Sequence, residues 1–576
     1  MVIKKVDIIQ PLFERLKAGS EKDYNGTLVF GLAAQPGGLK NPVALTVIKY
    51  TGEESLKLAA ASIPAGLSLI GIVEFDNDEE QELYSRLDNV SDAFLLKVCD
   101  RKMIATTGLD YLQNLHLNVV TPEEFWEKMV CTFRIQGKFL INSILEFPDL
   151  KECFDKAKAR VFNQAAYTIG KKSNITILPR SGHFVSEIPL KPAAKVSDIM
   201  SGLKQEIAEN KESSNVYFCP SMSLINVKMV QDQSKSTLAN SAALIVSDKT
   251  AWCKLFEHYV DIDVLVIVPS CMSGDQLYRK FNLAVSSQLQ FGFHSNIVQQ
   301  LGNSISAEKP QVYHLWPGFS QHFVTVLYPQ NTSEEKLKDR RHELHNLYFA
   351  RATRPFFRRP SALFQPTIGL ISPHATLRGK YSETEIISGH YEYRHYMQED
   401  FNDDGWGCAY RSLQTIVSWF RLQGFTATNV PSHREIQECL VSLGDKPPSF
   451  VGSRQWIGST EVSFVLEALL GISCRIIALH SGDEMASRVS ELLSHFKIHG
   501  TPVMIGGGVL AHTLIGASRE PDSDNNVNYL VLDPHFTGKD ELKTILGKGW
   551  VGWKDNNFWS KKDFYNMCMP LLPSAI

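Results

Sequence analysis

The sequence predicts a multi-domain chain of mixed α/β class, and three observations predict it. Its 576 residues exceed what one hydrophobic core organises, and at roughly 150 residues per domain three or four units are expected. Strand-like apolar runs dominate the first third, and strands alternate with helix-like segments in the second. From about Tyr381 onward the composition changes again, with Trp, Gly and His becoming dense. The 44% hydrophobic and 21% charged residues give an ordinary globular balance, which excludes disorder, collagen and coiled coil.

Charge and cysteine usage narrow the function classes. Lys+Arg 59 against Asp+Glu 62 gives a net charge of −3, without the basic footprint of a dedicated nucleic-acid binder. The ten cysteines stand singly, with no CxxC pair for a zinc site and too few for a disulfide framework. The opening MVIKKVDIIQPLFERLKAGS lacks the apolar core of a signal peptide, and no uncharged apolar run reaches the ~18 residues of a membrane span. The expected address is the reducing cytosol, where a reactive thiol survives.

Taken in order, 1–195 reads as a first non-catalytic domain. GTLVFGL (26–32), VALTVIKY (43–50) and SLIGIVEF (68–75) read as strands, with a Gln-Pro-Gly-Gly turn at 35–38 between the first two. Segments 79–94 and 122–132 read as helical. A second α/β domain covers 196–331, with strands AALIVSD and DVLVIVPS, helix QLYRKFNLAVSSQLQ and closing strand HFVTVLYP. Residues 332–380 read as a solvated or domain-bridging helix, opened by Thr332 or Ser333 with an acid close behind, and a basic, proline-punctuated linker. The last domain is 381–576.

The chemistry concentrates in DFNDDGWGCAYRSLQTIVSWFRL (400–422). Leu413, Ile416, Val417 and Phe420 recur at helical spacing, whereas Asp404-Gly405-Trp406-Gly407 is loop. Cys408 therefore sits where a loop enters a buried helix, and the unpaired N–H groups and dipole there favour a thiolate. Flanking glycines let a substrate backbone come close. The bland alternative, a small buried hydrophobe, stays the reading for the other nine cysteines.

A cysteine nucleophile needs a base from elsewhere. His512 lies in TPVMIGGGVLAHTLIGA (501–517), and His535 in NYLVLDPHF (528–536). His512 would pair with Asp533 across neighbouring strands. His535 would pair with Asp533 at i−2 on its own strand end, bent by Pro534. The residues alone leave both open; the second brings acid and base as one unit. The glycine run reads as a tight turn, since a phosphate loop would want a following Lys-Ser/Thr. Trp456 reads as a core tryptophan ahead of a cleft-lining one.

In order, GWGCAYRS (405–412), QWIGS (455–459), PVMIGGGVLAHT (502–513) and LDPHF (532–536) resemble the Ufm-specific cysteine proteases, in particular the longer, second type. The resemblance covers 381–576 and implies a papain-like α/β (α+β) cysteine protease domain. It implies Cys408 as nucleophile, Asp533 and His535 completing the triad, and Tyr396, twelve residues before the nucleophile, in the oxyanion hole. His512 is left a supporting role, and neither cofactor nor metal is implied. The activity implied is maturation of the ubiquitin-fold modifier UFM by exposing its C-terminal glycine, and its removal from conjugated proteins.

Autophagins, which trim Atg8-like modifiers, also resemble this chain in the GWGC motif and the D-P-H pair. AYRSLQTI, QWIGS and the long N-terminal half favour the UFM-directed family. An inert modifier-binding module is the reading from another class, against which the intact Cys408, Asp533, His535 and Tyr396 argue. GTLVFGL and IPAGLSLIGIVEF (63–75) resemble, less specifically, the start of an MPN-type domain. His116, His183, His258 and His294 stand isolated, so a metal centre is not expected there. The resemblance further implies a peripheral place at the endoplasmic reticulum membrane through an adaptor with a similar domain, without a span of its own.

Overall fold

Continuous apolar runs and alternating ones give the barrel and the larger sheet of the first unit, Met1–Ala350. The computed structural model describes residues 4–573 with interruptions, the longest at 76–92, 204–221, 232–255 and 295–309. Seven strands come first: β1 (Lys5–Ile9), β2 (Thr27–Leu32), β3 (Val43–Ile48), β4 (Ser68–Phe75), β5 (Phe94–Cys99), β6 (Lys102–Thr107) and β7 (Gln113–Val120). They close into a barrel in the order β1-β3-β2-β4-β5-β6-β7, and β7 returns parallel to β1. β2 and β3 are buried along their whole length, as their unbroken apolar runs require.

A six-stranded sheet follows, built of β8 (Val130–Ser143), β9 (Ala165–Ile169), β10 (Ile175–Ile177), β11 (Phe184–Val185), β12 (Leu224–Gln231) and β13 (Phe256–Pro269). Its order is β11-β10-β9-β12-β8-β13. β8 and β13 pair antiparallel throughout, from Phe256 opposite Ser143 to Pro269 opposite Val130. The helices Leu150–Gln164 and Gly274–His294 pack together and against this sheet. β14 (Pro310–Leu315) and β15 (Val324–Pro329) form an antiparallel ribbon.

The pairing corrects the expected division at 195/196. β8 precedes that point, yet it is flanked by β12 and β13, which follow it. Leu265 and Ile267 of β13 also enter the barrel core. Residues 1–195 and 196–331 therefore share sheet and core. Segment 122–132 is helical only to Met129, because the run from Val130 pairs with β13. Segment 79–94, apart from its last residues, and AALIVSD (242–248) lie outside the described residues. The helix expected across 332–352 is Lys338–Leu347, preceded by one 3₁₀ turn. One face is solvated, as expected, and the other buries Arg341, Leu344, His345 and Leu347. Its end is tied down: the Leu347 carbonyl accepts from the Lys49 N–H at 2.9 Å, and the Tyr348 and Ser62 hydroxyls are 2.7 Å apart.

The second unit is Arg351–Ile576. Its start precedes the expected 381: the Arg354 guanidinium stacks on Trp419, and Ile371 bridges to Glu392. The unit holds β16 (Glu383–Ile386), β17 (Cys474–Leu479), β18 (Val503–Gly507), β19 (Leu510–Arg519), β20 (Val527–Leu532), β21 (Val551–Asp555) and β22 (Tyr565–Pro570). The antiparallel sheet runs β17-β22-β18-β19-β20-β21, with β16 added beside β19. Alternation sets its two faces. Met504, Ala511, Ile515, Leu530 and Leu532 meet the core of the helix Cys408–Leu422. Val503, Ile505, Leu514, Tyr529 and Val531 meet the helix Val489–Ile498 on the other side. Helices against both faces of an antiparallel sheet place Cys408 over β19 and beside the end of β20.

Candidate active site

Cys408 is the first residue of its helix, with Gly407 as the N-cap, so the thiol stands at the positive end of the dipole as expected. The flanking glycines serve different needs. Gly405 has φ +80°, a left-handed conformation, and open space where a side chain would be. Gly407 has no room: a Cβ there would lie 2.4 Å from Asp403 Oδ2. Asp403 organises the loop, its carbonyl accepting from the Trp406 and Gly407 N–H groups and its carboxylate from the Met397 N–H at 2.9 Å.

β20 ends at Leu532, and the next three residues carry the acid and the base. Asp533 Oδ1 accepts from the His535 N–H at 3.0 Å and lies 2.6 Å from His535 Nδ1. That leaves His535 Nε2, buried and otherwise without a hydrogen-bond partner, for the Cys408 thiol. Burial opposes the Cys408 thiolate, but contacts with His535, the Ala511 backbone and the Tyr396 hydroxyl outweigh it, and the thiol pKa falls. Burial likewise opposes the His535 cation, yet Asp533 and Cys408 lift the imidazole to about 9. Asp533 is held below its usual range, burial being outweighed by His535 and His512. Burial, and then Cys408, push the Tyr396 hydroxyl far up, so it remains a proton donor. A thiol drawn toward thiolate beside an imidazole drawn toward imidazolium has the chemistry a nucleophile and its acid require.

All four expected residues, Cys408, Tyr396, Asp533 and His535, thus meet. Tyr396 and His535 stack edge to face with centroids 5.3 Å apart. His512 comes to the acid rather than to the thiol: its Nε2 is 3.9 Å from Asp533 Oδ2, and its ring lies among His535, Phe558 and Trp559. Burial lowers its pKa to about 4. Donor atoms of His512, Asp533 and His535 fall within 4.8 Å of one another, in reach of one ion. The 2.6 Å between Asp533 and His535 is tighter than the ~3.3 Å expected of two ligands on a tetrahedral zinc, and fits a shared proton. The glycine run is the expected turn, joining β18 to β19 with φ +57° at Gly508.

Trp456 corrects the core reading. It is 53% exposed, and its indole N–H donates to the Gly405 carbonyl at 3.3 Å, so it lines the nucleophile loop. The sequence reading also missed Arg411, one helical turn beyond Cys408. Its buried guanidinium donates to Asp403 Oδ2 at 2.6 Å, to Gln414 and to the Gln398 carbonyl. The available signal was a lone charge on an otherwise apolar turn.

A thiol at a helix N-terminus, an Asp–His pair at a strand end and an antiparallel sheet between two helical layers define a cysteine peptidase. Known proteins agree. Residues 382–568 match the family described as Peptidase family C78, and 151–367 match Ubiquitin-fold modifier 1 specific protease 2, N-terminal. Ufm1-specific protease 2 of Gallus gallus is 40% identical over 363 residues, 61% of this chain and 77% of that protein. The Rattus norvegicus protein of that name is 37% identical over 464 residues, 77% of this chain and 99% of the relative. The crystal structure of UfSP from C. elegans superposes with a TM-score of 0.68 at 26% identity, covering 99% of this chain and 100% of the other. The chain belongs to the Ufm1-specific protease 2 family, the longer type with an N-terminal extension.

Proposed function

We propose that this protein is a thiol-dependent peptidase and isopeptidase that exposes the C-terminal glycine of the ubiquitin-fold modifier and removes the modifier from conjugated proteins. The observation that carries the reading is the meeting of Cys408, Tyr396 and the Asp533–His535 pair at one helix N-terminus. Asp533 fixes Nδ1 of His535, and Nε2 takes the Cys408 proton. The thiolate adds to the carbonyl carbon of the modifier's terminal glycine. The resulting oxyanion accepts from the Tyr396 hydroxyl and the Cys408 backbone N–H. Collapse breaks the C–N bond, and the leaving amine takes the proton from His535. Water, deprotonated by His535, then cleaves the thioester and returns the thiol.

The first unit we assign to recruitment. Its closed barrel, in which IPAGLSLIGIVEF supplies β4, supports the MPN-like reading of that region. Partnership with an adaptor carrying a similar domain, at the cytoplasmic side of the endoplasmic reticulum, rests on the family resemblance. Membrane fractionation with and without the adaptor tests it.

The substrate reading is tested by parallel cleavage of a UFM1 precursor and an Atg8-like precursor. Processing of the UFM1 precursor alone is expected. Processing of the Atg8-like one alone would move the chain to the autophagin reading, and cleavage of neither would leave a modifier-binding module.

A further inference from the structure

The two groups that must meet at one carbonyl carbon come from distant segments, Tyr396 from 393–398 and His535 from 533–540. Four residues of the first segment tie it to the second before any substrate arrives. The Tyr396 N–H donates to the Pro534 carbonyl at 2.9 Å, and the Tyr393 hydroxyl donates to the Asp533 carbonyl. His395, whose side chain is 1% exposed, then spans the gap. Its Nδ1 is 3.0 Å from the Phe536 carbonyl oxygen, and its Nε2 is 2.8 Å from Asp540 Oδ1. Gln398 donates to both Asp540 oxygens, at 3.2 and 3.3 Å, and accepts from the His395 N–H at 3.2 Å. The His395 ring is also wedged between Tyr393 and Phe536, at centroid distances of 5.1 and 5.0 Å.

The backbone beside Tyr396 is held in a conformation it would not choose alone. Met397, Glu399 and Asp400 have φ of +62°, +60° and +54°, in the left-handed region that costs non-glycine residues roughly 1–2 kcal/mol each. Such strain persists only where neighbouring contacts over-determine the chain, and it gathers at sites whose geometry must be fixed. The contacts here are those of His395, Gln398 and Asp540 on one side and of Asp403 on the other.

We propose that Asp540, acting through His395 and Gln398, is a positioning residue that fixes the oxyanion donor Tyr396 against the base loop of His535. The pair His395–Asp540 is a second Asp–His couple, which touches no reacting atom and sets the distance between two groups that do. This inference rests on the proposed thiol-peptidase chemistry and deepens it. Asp540 is suited to a test because its side chain is one-third exposed.

The experiment is a kinetic cycle on the full chain with Asp540→Ala, Tyr396→Phe and the double variant. It is read on a short glycine-ended peptidyl amide with a fluorogenic leaving group, and Tm is recorded for each protein. Asp540→Ala is expected to lower kcat by about 10- to 100-fold with KM unchanged, the scale of a small misplacement at the reacting centre. In the Tyr396→Phe background the same change is expected to cost little, since the donor it positions is gone. Asp540→Asn, which keeps an acceptor for His395, is expected to retain most of the activity. Equal losses in both backgrounds, a rise in KM alone, an Asp540→Asn loss as large as that of Asp540→Ala, or a loss that follows Tm would each overturn the proposal. A wild-type chain that cuts this peptide but not the UFM1 precursor would overturn the substrate reading alone.

Discussion

The Arg411 guanidinium and the Asp403 carboxylate meet at 2.6 Å with side chains 1% and 0% exposed, one helical turn below the Cys408 thiol. His433 adds a second contact to the same carboxylate oxygen at 3.1 Å. Burial would raise the Asp403 pKa, but His433 and Arg411 hold it down at about 2. Asp403→Ala strands a buried guanidinium and removes the group on which the GWGC loop is built. A loss of about 3–5 kcal/mol in unfolding free energy is expected from urea denaturation. A change under about 1 kcal/mol would mean that the pair does not hold the loop.

Cys408→Ser is expected to abolish turnover while leaving the modifier bound, read by parallel activity and pull-down assays. In the wild type, alkylation of Cys408 by iodoacetamide gives the pH dependence. The thiol pKa is lowered and that of His535 is raised to about 9, so thiolate and imidazolium coexist between the two. Turnover should fall as pH rises through about 9, where His535 loses the proton due to the leaving amine, while alkylation persists. Alkylation and turnover falling together would sink the assignment.

His535→Ala should cost on the order of 10²–10⁴ in kcat/KM, the usual worth of a general acid–base group. His512→Ala should cost at least about tenfold less, because it leaves the 2.6 Å Asp533–His535 contact in place. The reverse ranking would make His512 the base.

Three histidines of the second unit are neutral because they are buried: His374 and His512 at about 4 and His495 at about 3. Below about 6.5 the unfolded chain takes up protons that these native side chains refuse, so stability falls with pH toward 4. His535 acts in the opposite sense, its contribution being fully present below about 6.5 and lost as pH rises through about 9. Thermal melts from pH 7.5 to 4.5 should show a declining Tm, and a flat profile would contradict the burial of these rings.

Trp456→Ala should leave stability within about 0.5 kcal/mol, as for a surface change. If the modifier tail covers the indole, KM for the precursor should rise by about tenfold, the worth of a partly buried aromatic. An unchanged KM would remove Trp456 from the substrate path.

What could be read from the sequence was local. Cys408 was marked by a loop-to-helix junction, but the residues left Asp533 open to either His512 or His535, and only the family resemblance chose His535. Tyr396 came only through family resemblance, because its segment has no period and its left-handed neighbours carry no glycine to mark them. Asp403 meets Arg411 across 8 residues and His433 across 30, and His395 meets Asp540 across 145. No hydrophobic pattern encodes such pairings. The same reason misplaced the break at 195/196: DVLVIVPS marked part of β13 as a strand, but no pattern marked β8, read as helical up to residue 132, as its neighbour.

That neighbourhood bears on how the chain is made. Residue 143 leaves the ribosome 126 positions before residue 269, the far end of the strand that must lie against it. At about 5–20 residues per second the wait is on the order of 6–25 s, much longer than a hairpin needs to form. During it β8 has an unpaired edge and its share of the core is unfilled. The barrel cannot complete its own interior either, since Leu265 and Ile267 arrive with the same late strand. The sheet and the barrel of the first unit therefore become complete together, and only once β13 has been made.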